Sequence, residues 1–257
     1  MLFLIGLGLG NKDLSALALE EIKEADALFL ESYTAFIPKE YADFIERQAG
    51  RKPTPLVRKD LEDGLAKTVA AAKGAKVVIL VPGDPLIATT HGIILNEAKR
   101  QGIECRVIHA PSVFSIAIGE SGLDVYKFGP TVTIPFWSER YRPTAFIDAI
   151  ERNLRNGQHT LVLLDIEHKS FRPMKIEEAA GIISKATSGM KGAQLNSEKE
   201  IMILANLGRD DKMIVRSKIG ELTQHAAELE GKVLSLVIPA EMSFAERESF
   251  DRAASTS

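Results

Sequence analysis

Residues 76–81, KVVILV, put five apolar residues in a row, most of them β-branched, and Pro82 then stops the run. A strand that is apolar at every position, not at every second one, has no face to give to water. It belongs inside a sheet covered on both sides, which means parallel strands joined by helical crossovers. Residues 2–8, 25–31 and 104–108 have the same continuous apolar character, with a weaker run at 54–57. Segments with apolar residues at helical spacing separate them: one that Asp13 is placed to cap, with Leu14, Leu17, Ala18 and Ile22, and others at 38–47, 61–73 and 92–100. The pattern predicts an α/β fold with right-handed crossovers. In such a sheet ligands sit beyond the carboxyl ends of the strands, where the strand order reverses. Four loops therefore share one rim: GLGLGN, LESYTA, PGDPLIATTH and HAPSVFS.

The second half reads differently. Alternating strand signals run through 122–134, helices are expected at 144–154 and 175–186, and strands at 159–166, 200–205 and 233–238. The spacing places a domain boundary within 121–127, dividing the chain into 1–122 and 123–257. The last six residues, RAASTS, are expected to fray.

Each rim motif has a functional and a plain structural reading. GLGLG with Glu31 at the end of the second strand suggests a dinucleotide site, and so a nicotinamide-dependent oxidoreductase. The third glycine of that fingerprint, however, falls on Asn11. The plain reading is a tight strand-to-helix turn. In PGDP, Pro82 and Pro85 fix φ and remove two N–H donors, while Gly83 permits a turn closed to other residues. The loop so built presents Asp84 at the rim, either toward a ligand or as a backbone cap. Ala88, Thr89 and Thr90 form a small polar shelf against which a flat ligand fits. In HAPS, Ser112 precedes a helix and either caps it or receives a ligand.

Other chemistry is excluded or weakly signalled. The five histidines (91, 109, 159, 168 and 225) have no metal-ligand spacing, so no metal is expected. There is no nucleophile elbow and no phosphate-loop lysine. Cys105 sits in an apolar strand, reads as core, and as the single cysteine forms no intrachain disulfide. A net charge of −3 does not suit a nucleic-acid surface, and no apolar run is long enough to span a membrane. PFWSERYRP at 135–143 gathers Phe136, Trp137 and Tyr141 in a loop, as substrate contacts or as a surface loop with one anchor.

FLIGLGLG, ESYTA, PGDPLIATTH, HAPS, YKFG and HTLVLLDI occur in that order over residues 1–166. This set resembles the diphthine synthase family, within the tetrapyrrole-methylase class of S-adenosylmethionine-dependent methyltransferases. The resemblance implies a two-domain α/β fold, with a mainly parallel N-terminal sheet, a mixed C-terminal sheet and the cofactor in the interdomain cleft. It implies a cytoplasmic homodimer that methylates the amino group of a modified histidine in translation elongation factor 2. Carried over by position, S-adenosylmethionine contacts fall on Leu9, Asp84, Ile87, Ser112 and Val113, and in the second domain on Leu164 and Leu207. A further contact usually made by a histidine falls on Leu234, which leaves a backbone contact there. After LDI, where the family more often has lysine, the chain continues EHKSFRP. No catalytic side chain is assigned, and no dedicated strong base is expected, because an α-amino acceptor with a pKa of about 7.7–8.0 already has a usable neutral fraction. A tetrapyrrole acceptor on the same fold is the alternative. The aromatic side chains of 136–141 are candidates for cradling a growing quaternary ammonium.

Overall fold

The computed structural model describes residues 1–257 apart from 33–36, 38, 168–171, 191 and 255–257. Residues 33–35 of the LESYTA loop, Pro38, His168 and the centre of EHKSFRP thus lie outside the described residues. The chain divides into two compact units, Met1–Val113 and Phe114–Ser257.

The first unit runs β1 (Leu2–Gly6), α1 (Ala16–Glu24), β2 (Ala27–Glu31), α2 (Lys39–Ala49), β3 (Thr54–Leu56), α3 (Arg58–Glu62), α4 (Leu65–Ala70), β4 (Val77–Val81), α5 (Gly92–Arg100) and β5 (Cys105–Ile108). Its strands are all parallel, in the order β3-β2-β4-β1-β5. Every residue of β1 and β4 is buried, because alternate side chains enter two different cores. Phe3, Ile5, Val78 and Leu80 pack with Ala18, Ile22, Tyr41 and Ile45. Leu2, Leu4, Val77 and Ile79 pack with Leu61, Val69, Ile94 and Ala98 on the other face. Each large aliphatic side chain so buried contributes about 1.5–3 kcal/mol. Cys105 is half-buried, and burial pushes its thiol up to about 11, as expected of a packing residue rather than a nucleophile.

Two local expectations change. Asp13 does not cap α1; Ser15 does, its hydroxyl accepting from Ala18 N at 3.1 Å. The single helix expected at 61–73 is two short ones, α3 and α4, separated by Gly64. A β-carbon at Gly64 would come within 3.1 Å of the Asp60 backbone.

Helix α6 (Val113–Glu120) leads into the second unit, so the expected division at 122/123 falls at its far end. Glu120 is ion-paired with Lys212 at 2.9 Å. Gly122, at φ +72°, lies so close to Ser249 that a β-carbon would fall 2.6 Å from its carbonyl oxygen. There follow β6 (Val132–Ile134), α7 (Ala145–Arg155), β7 (Thr160–Leu164), β8 (Ile166–Glu167), β9 (Arg172–Pro173), α8 (Ile176–Thr187), β10 (Glu200–Ala205), β11 (Met213–Lys218), β12 (Leu234–Ile238) and α9 (Phe244–Ala253). The main sheet is mixed, in the order β11-β10-β12-β7-β6, with only β6 and β7 parallel. Its core gathers Ile134, Phe146, Ile150, Val162, Ile183 and Leu236. Of the strand signals at 122–134 only β6 is a strand; Asp124 caps a 3-10 turn at Val125–Lys127 instead. β11 and α9 are among the elements not anticipated. Edge strand β11 carries Arg216 and Lys218 on its exposed positions, which blunts its apolar signal. Helix α9 opens on Ser243 and reaches Ala253, into the segment expected to fray.

Glu246, on α9, holds much of this unit together. It accepts from Lys127 Nζ (2.7 Å), His159 Nε2 (2.8 Å), Ser243 N (2.8 Å) and Asp124 N (3.2 Å). Ala240 N donates to His159 Nδ1 at 2.9 Å, so the fully buried imidazole is neutral with its hydrogen on Nε2. Burial pushes His159 below the ordinary histidine range, the bond to Glu246 offsetting only part of this. Burial also lowers His91 of the first unit, against the pull of the Glu31 charge and the Pro85 carbonyl. Below about pH 6.5 the unfolded chain therefore takes up protons that the folded chain refuses. Stability is expected to fall with pH there, by about 1.4 kcal/mol per unit for each histidine. Urea unfolding at pH 7.5 and 5.5, followed through the single tryptophan, Trp137, tests the His159 share, and equal midpoints would refute it.

Candidate functional site

The connections from β1 and β4 leave in opposite directions across the first sheet, so the crevice beyond their carboxyl ends is its switch point. The two loops that rise there are pinned together. Gly8 N donates to Gly83 O at 3.1 Å, and Gly83 N to Gly8 O at 2.9 Å. The Tyr41 hydroxyl, from α2, donates to the Leu7 carbonyl beneath them.

This geometry accounts for GLGLG without a dinucleotide. Gly6 lies where three loops meet: a β-carbon there would stand 2.7 Å from Gly83 O, 2.8 Å from Ala110 Cβ and 2.9 Å from Pro85 Cδ. Gly8 takes φ +72° with Asp13 directly against it. The N–H groups of Leu9 and Gly10, which a pyrophosphate would need, both donate to Asp13 Oδ2, at 2.8 and 3.0 Å. A carboxylate in that position repels phosphate. Glu31, the would-be ribose ligand, is fully buried. The nicotinamide reading is withdrawn on these grounds.

Asp84 is 6% exposed and caps its own turn, the plain reading of PGDP. Its Oδ1 accepts from Leu86 N at 2.9 Å, which closes the turn after Pro85. Its Oδ2 accepts from His109 Nδ1 at 2.8 Å and from Ala110 N at 3.3 Å, which ties the PGDP loop to HAPS one strand away. Gly83, at φ +67°, has nothing within 4 Å of a built β-carbon, so the loop backbone is open to close approach. Ile87 stands 45% exposed beside it. Ala88 takes φ +57°, a left-handed conformation that costs a non-glycine residue about 1–2 kcal/mol. Ala88→Gly is expected to relieve that strain and, after the entropy that glycine adds to the unfolded chain, raise Tm by about 1–3 °C. Thermal unfolding checks this, and a lower Tm would show that the strain is absent.

Ser112 is buried one residue before α6, and Val113 is half-buried at its first position. Leu9, Asp84, Ile87, Ser112 and Val113 thus all belong to the carboxyl-end loops of β1, β4 and β5. His91 is fully buried after the same loop, and its backbone N–H donates to the Thr89 hydroxyl at 3.2 Å.

In the second unit, Leu163 faces Ser235 and Leu234 faces Ala205 across antiparallel ladders, which brings Leu164, Leu234 and the turn after β10 to one end of the sheet. The Leu234 side chain is in the core, so only its backbone is available there. Leu207 follows Asn206, which is left-handed at φ +49° and held by bonds to Asp211 Oδ2 (2.7 Å) and from Val233 N (2.8 Å). The aromatic candidates are less open than their loop suggests. The Arg172 guanidinium stacks 5.2 Å from the Phe136 ring, and Trp137 Nε1 is bonded to Pro143 O at 3.2 Å. Tyr141 is exposed.

Two contributors to the rim were not singled out from the sequence. Asp13 reads in the sequence as a helix cap, and His109 as the start of the HAPS loop and one of five histidines without metal-ligand spacing; its place between a strand and a proline is the available signal.

The chain is similar to known proteins over nearly its full length. A family model described as Tetrapyrrole (Corrin/Porphyrin) Methylases matches residues 1–223. A protein of Methanothermobacter thermautotrophicus named diphthine synthase is 38% identical over 247 residues, 96% of this chain and 92% of that one. A human protein named diphthine methyl ester synthase is 34% identical over 242 residues, 86% of this chain and 84% of its own. A crystal structure of diphthine synthase superposes with a TM-score of 0.87 at 29% identity, covering 99% of this chain and 96% of the other. The chain belongs to the tetrapyrrole (corrin/porphyrin) methylase family.

Proposed function

We propose that this chain is a diphthine synthase: an S-adenosylmethionine-dependent N-methyltransferase that methylates the amino group of the modified histidine in translation elongation factor 2. The observation that carries the reading is the likeness to diphthine synthases across both units, together with the rim loops just described. When bound, S-adenosylmethionine supplies a methyl group on a cationic sulfur. The rim suits such a ligand: an open backbone at Gly83, the exposed apolar Ile87 and the carboxylate of Asp84. The residues that would hold it are Leu9, Asp84, Ile87, Ser112 and Val113 from the first unit, and Leu164, Leu207 and the backbone of Leu234 from the second. The chain works in the cytoplasm as a homodimer on this reading.

What the protein contributes to such a displacement is chiefly alignment, worth up to several kcal/mol. The test is incubation with elongation factor 2 carrying the unmethylated side chain and methyl-labelled S-adenosylmethionine, then mapping of the label. A porphyrinoid offered in parallel addresses the other acceptor of the family. Label on the histidine supports the reading, and label on the porphyrinoid alone refutes it. In Asp84→Asn, one oxygen that accepts becomes an amide that donates, toward neighbours that also donate. Its affinity for S-adenosylmethionine is expected to fall at least about tenfold by calorimetry. Wild-type affinity would remove Asp84 from the site.

A further inference from the structure

We propose that His109, held by Asp84, is the base that takes the proton from the acceptor amine before each methyl transfer; this rests on the function proposed above. Asp84 is buried, whereas the His109 side chain is 64% exposed, so the pair presents an open imidazole on a fixed carboxylate. A carboxylate can only accept, and its other bonds here come from the N–H groups of Leu86 and Ala110. The His109 Nδ1 therefore carries the hydrogen and donates it at 2.8 Å, leaving the Nε2 lone pair outward. A buried carboxylate behind Nδ1 both fixes this tautomer and stabilises the imidazolium once Nε2 is protonated. His109 lies on the same rim as Ile87, Ser112 and Val113, three residues before Ser112 on the loop after β5.

The chemistry gives such a group a task beside alignment. An amine held as ammonium has no lone pair to attack with, and each N-methylation up to the third releases one proton. His109 Nε2 takes that proton as the N–H bond breaks. The freed nitrogen pair then forms the N–C bond, while the donor's C–S bond breaks with its electrons staying on sulfur. The imidazolium returns the proton to solvent before the next round. Imidazole is the side chain that most often serves as a general base. A weak base at this position departs from the expectation, drawn from the sequence, that no dedicated strong base serves the amine.

The test separates a base from a clamp. In His109→Asn the amide N–H stands where Nδ1 stood, so the bond to Asp84 is kept while Nε2 is lost. His109→Ala loses both. His109→Asn is expected to bind S-adenosylmethionine within about twofold of wild type by calorimetry, with transfer to elongation factor 2 slowed about 10²–10⁴-fold. Imidazole added to the buffer is expected to restore part of the His109→Ala rate. With ¹⁵N-labelled histidine, NMR of the wild-type chain without acceptor is expected to show a protonated Nδ1 and a bare Nε2 at His109, and Asp84→Asn is expected to mix the two tautomers. A His109→Asn rate within threefold of wild type overturns the proposal. So does a fall in cofactor affinity that matches the fall in rate. A wild-type chain that transfers nothing to elongation factor 2 instead refutes the function, and the base falls with it.

Discussion

Gly6→Ala is expected to destabilise the first unit by about 3 kcal/mol, the upper end of the usual cost of overpacking, and to weaken cofactor binding about 100-fold. The added carbon would sit 2.7–2.9 Å from Gly83 O, Ala110 Cβ and Pro85 Cδ, closer than such atoms approach in folded proteins. None of the three is the end of a flexible side chain that could swing away. Gly83 O is tied back to Gly8 N, Pro85 is a ring, and Ala110 is held through its N–H to Asp84. The strain must therefore move backbone, and the backbone it moves carries Asp84 and Ile87. Gly83→Ala is the control: its β-carbon would meet nothing, and only the left-handed backbone at φ +67° opposes it, so about 1–2 kcal/mol is expected. Thermal unfolding reads the stability of both variants, and calorimetry with S-adenosylmethionine the affinity of Gly6→Ala. Equal losses of stability in the two variants would show that loop packing at Gly6 is not what sets the rim.

The second large effect is expected in the other unit. Glu246→Ala should cost about 3–5 kcal/mol, because it leaves the His159, Ser243 and Asp124 N–H donors without their acceptor at about 1–3 kcal/mol for each that is buried. Burial alone would raise the Glu246 pKa, but the bonds from Lys127, Ser243 N, His159 and Asp124 N outweigh it and hold the carboxyl well below the usual range. Without the carboxylate, Lys127 can turn to water, since its side chain is 34% exposed, but His159 is fully buried and cannot. Its Nε2–H then lacks its acceptor in the core, and two backbone N–H groups near the start of α9 and the Asp124 turn lose theirs. Urea unfolding followed at Trp137 measures the loss. A change under 1 kcal/mol would mean that water replaces the carboxylate, and that the hub is surface chemistry.

These sites differ in how far the sequence disclosed them. PGDP was legible because prolines and glycine constrain the chain locally, whatever surrounds them. Asp84 could be placed at the rim for that reason, but its bonds to His109 and Ala110 could not be anticipated, since the partners lie 25 and 26 residues away. Glu246, 87 residues from His159, gave no local sign beyond a place three residues after Ser243 at the start of a helix. GLGLG stayed ambiguous for the opposite reason. Its spacing is shared by turns that bind pyrophosphate and turns that only pack tightly, and Asp13 Oδ2 decides between them.

The amino-acid pattern by itself determined that the first half forms a parallel sheet with its loops gathered at one rim, because apolar residues at successive positions leave β1 and β4 no solvent face. It also determined where that rim turns, since proline and glycine act through their own backbone angles. Only the tertiary structure decided what the polar rim residues do. A carboxylate can cap, clamp, or bind, and the choice depends on which donors the fold brings within about 3 Å of it.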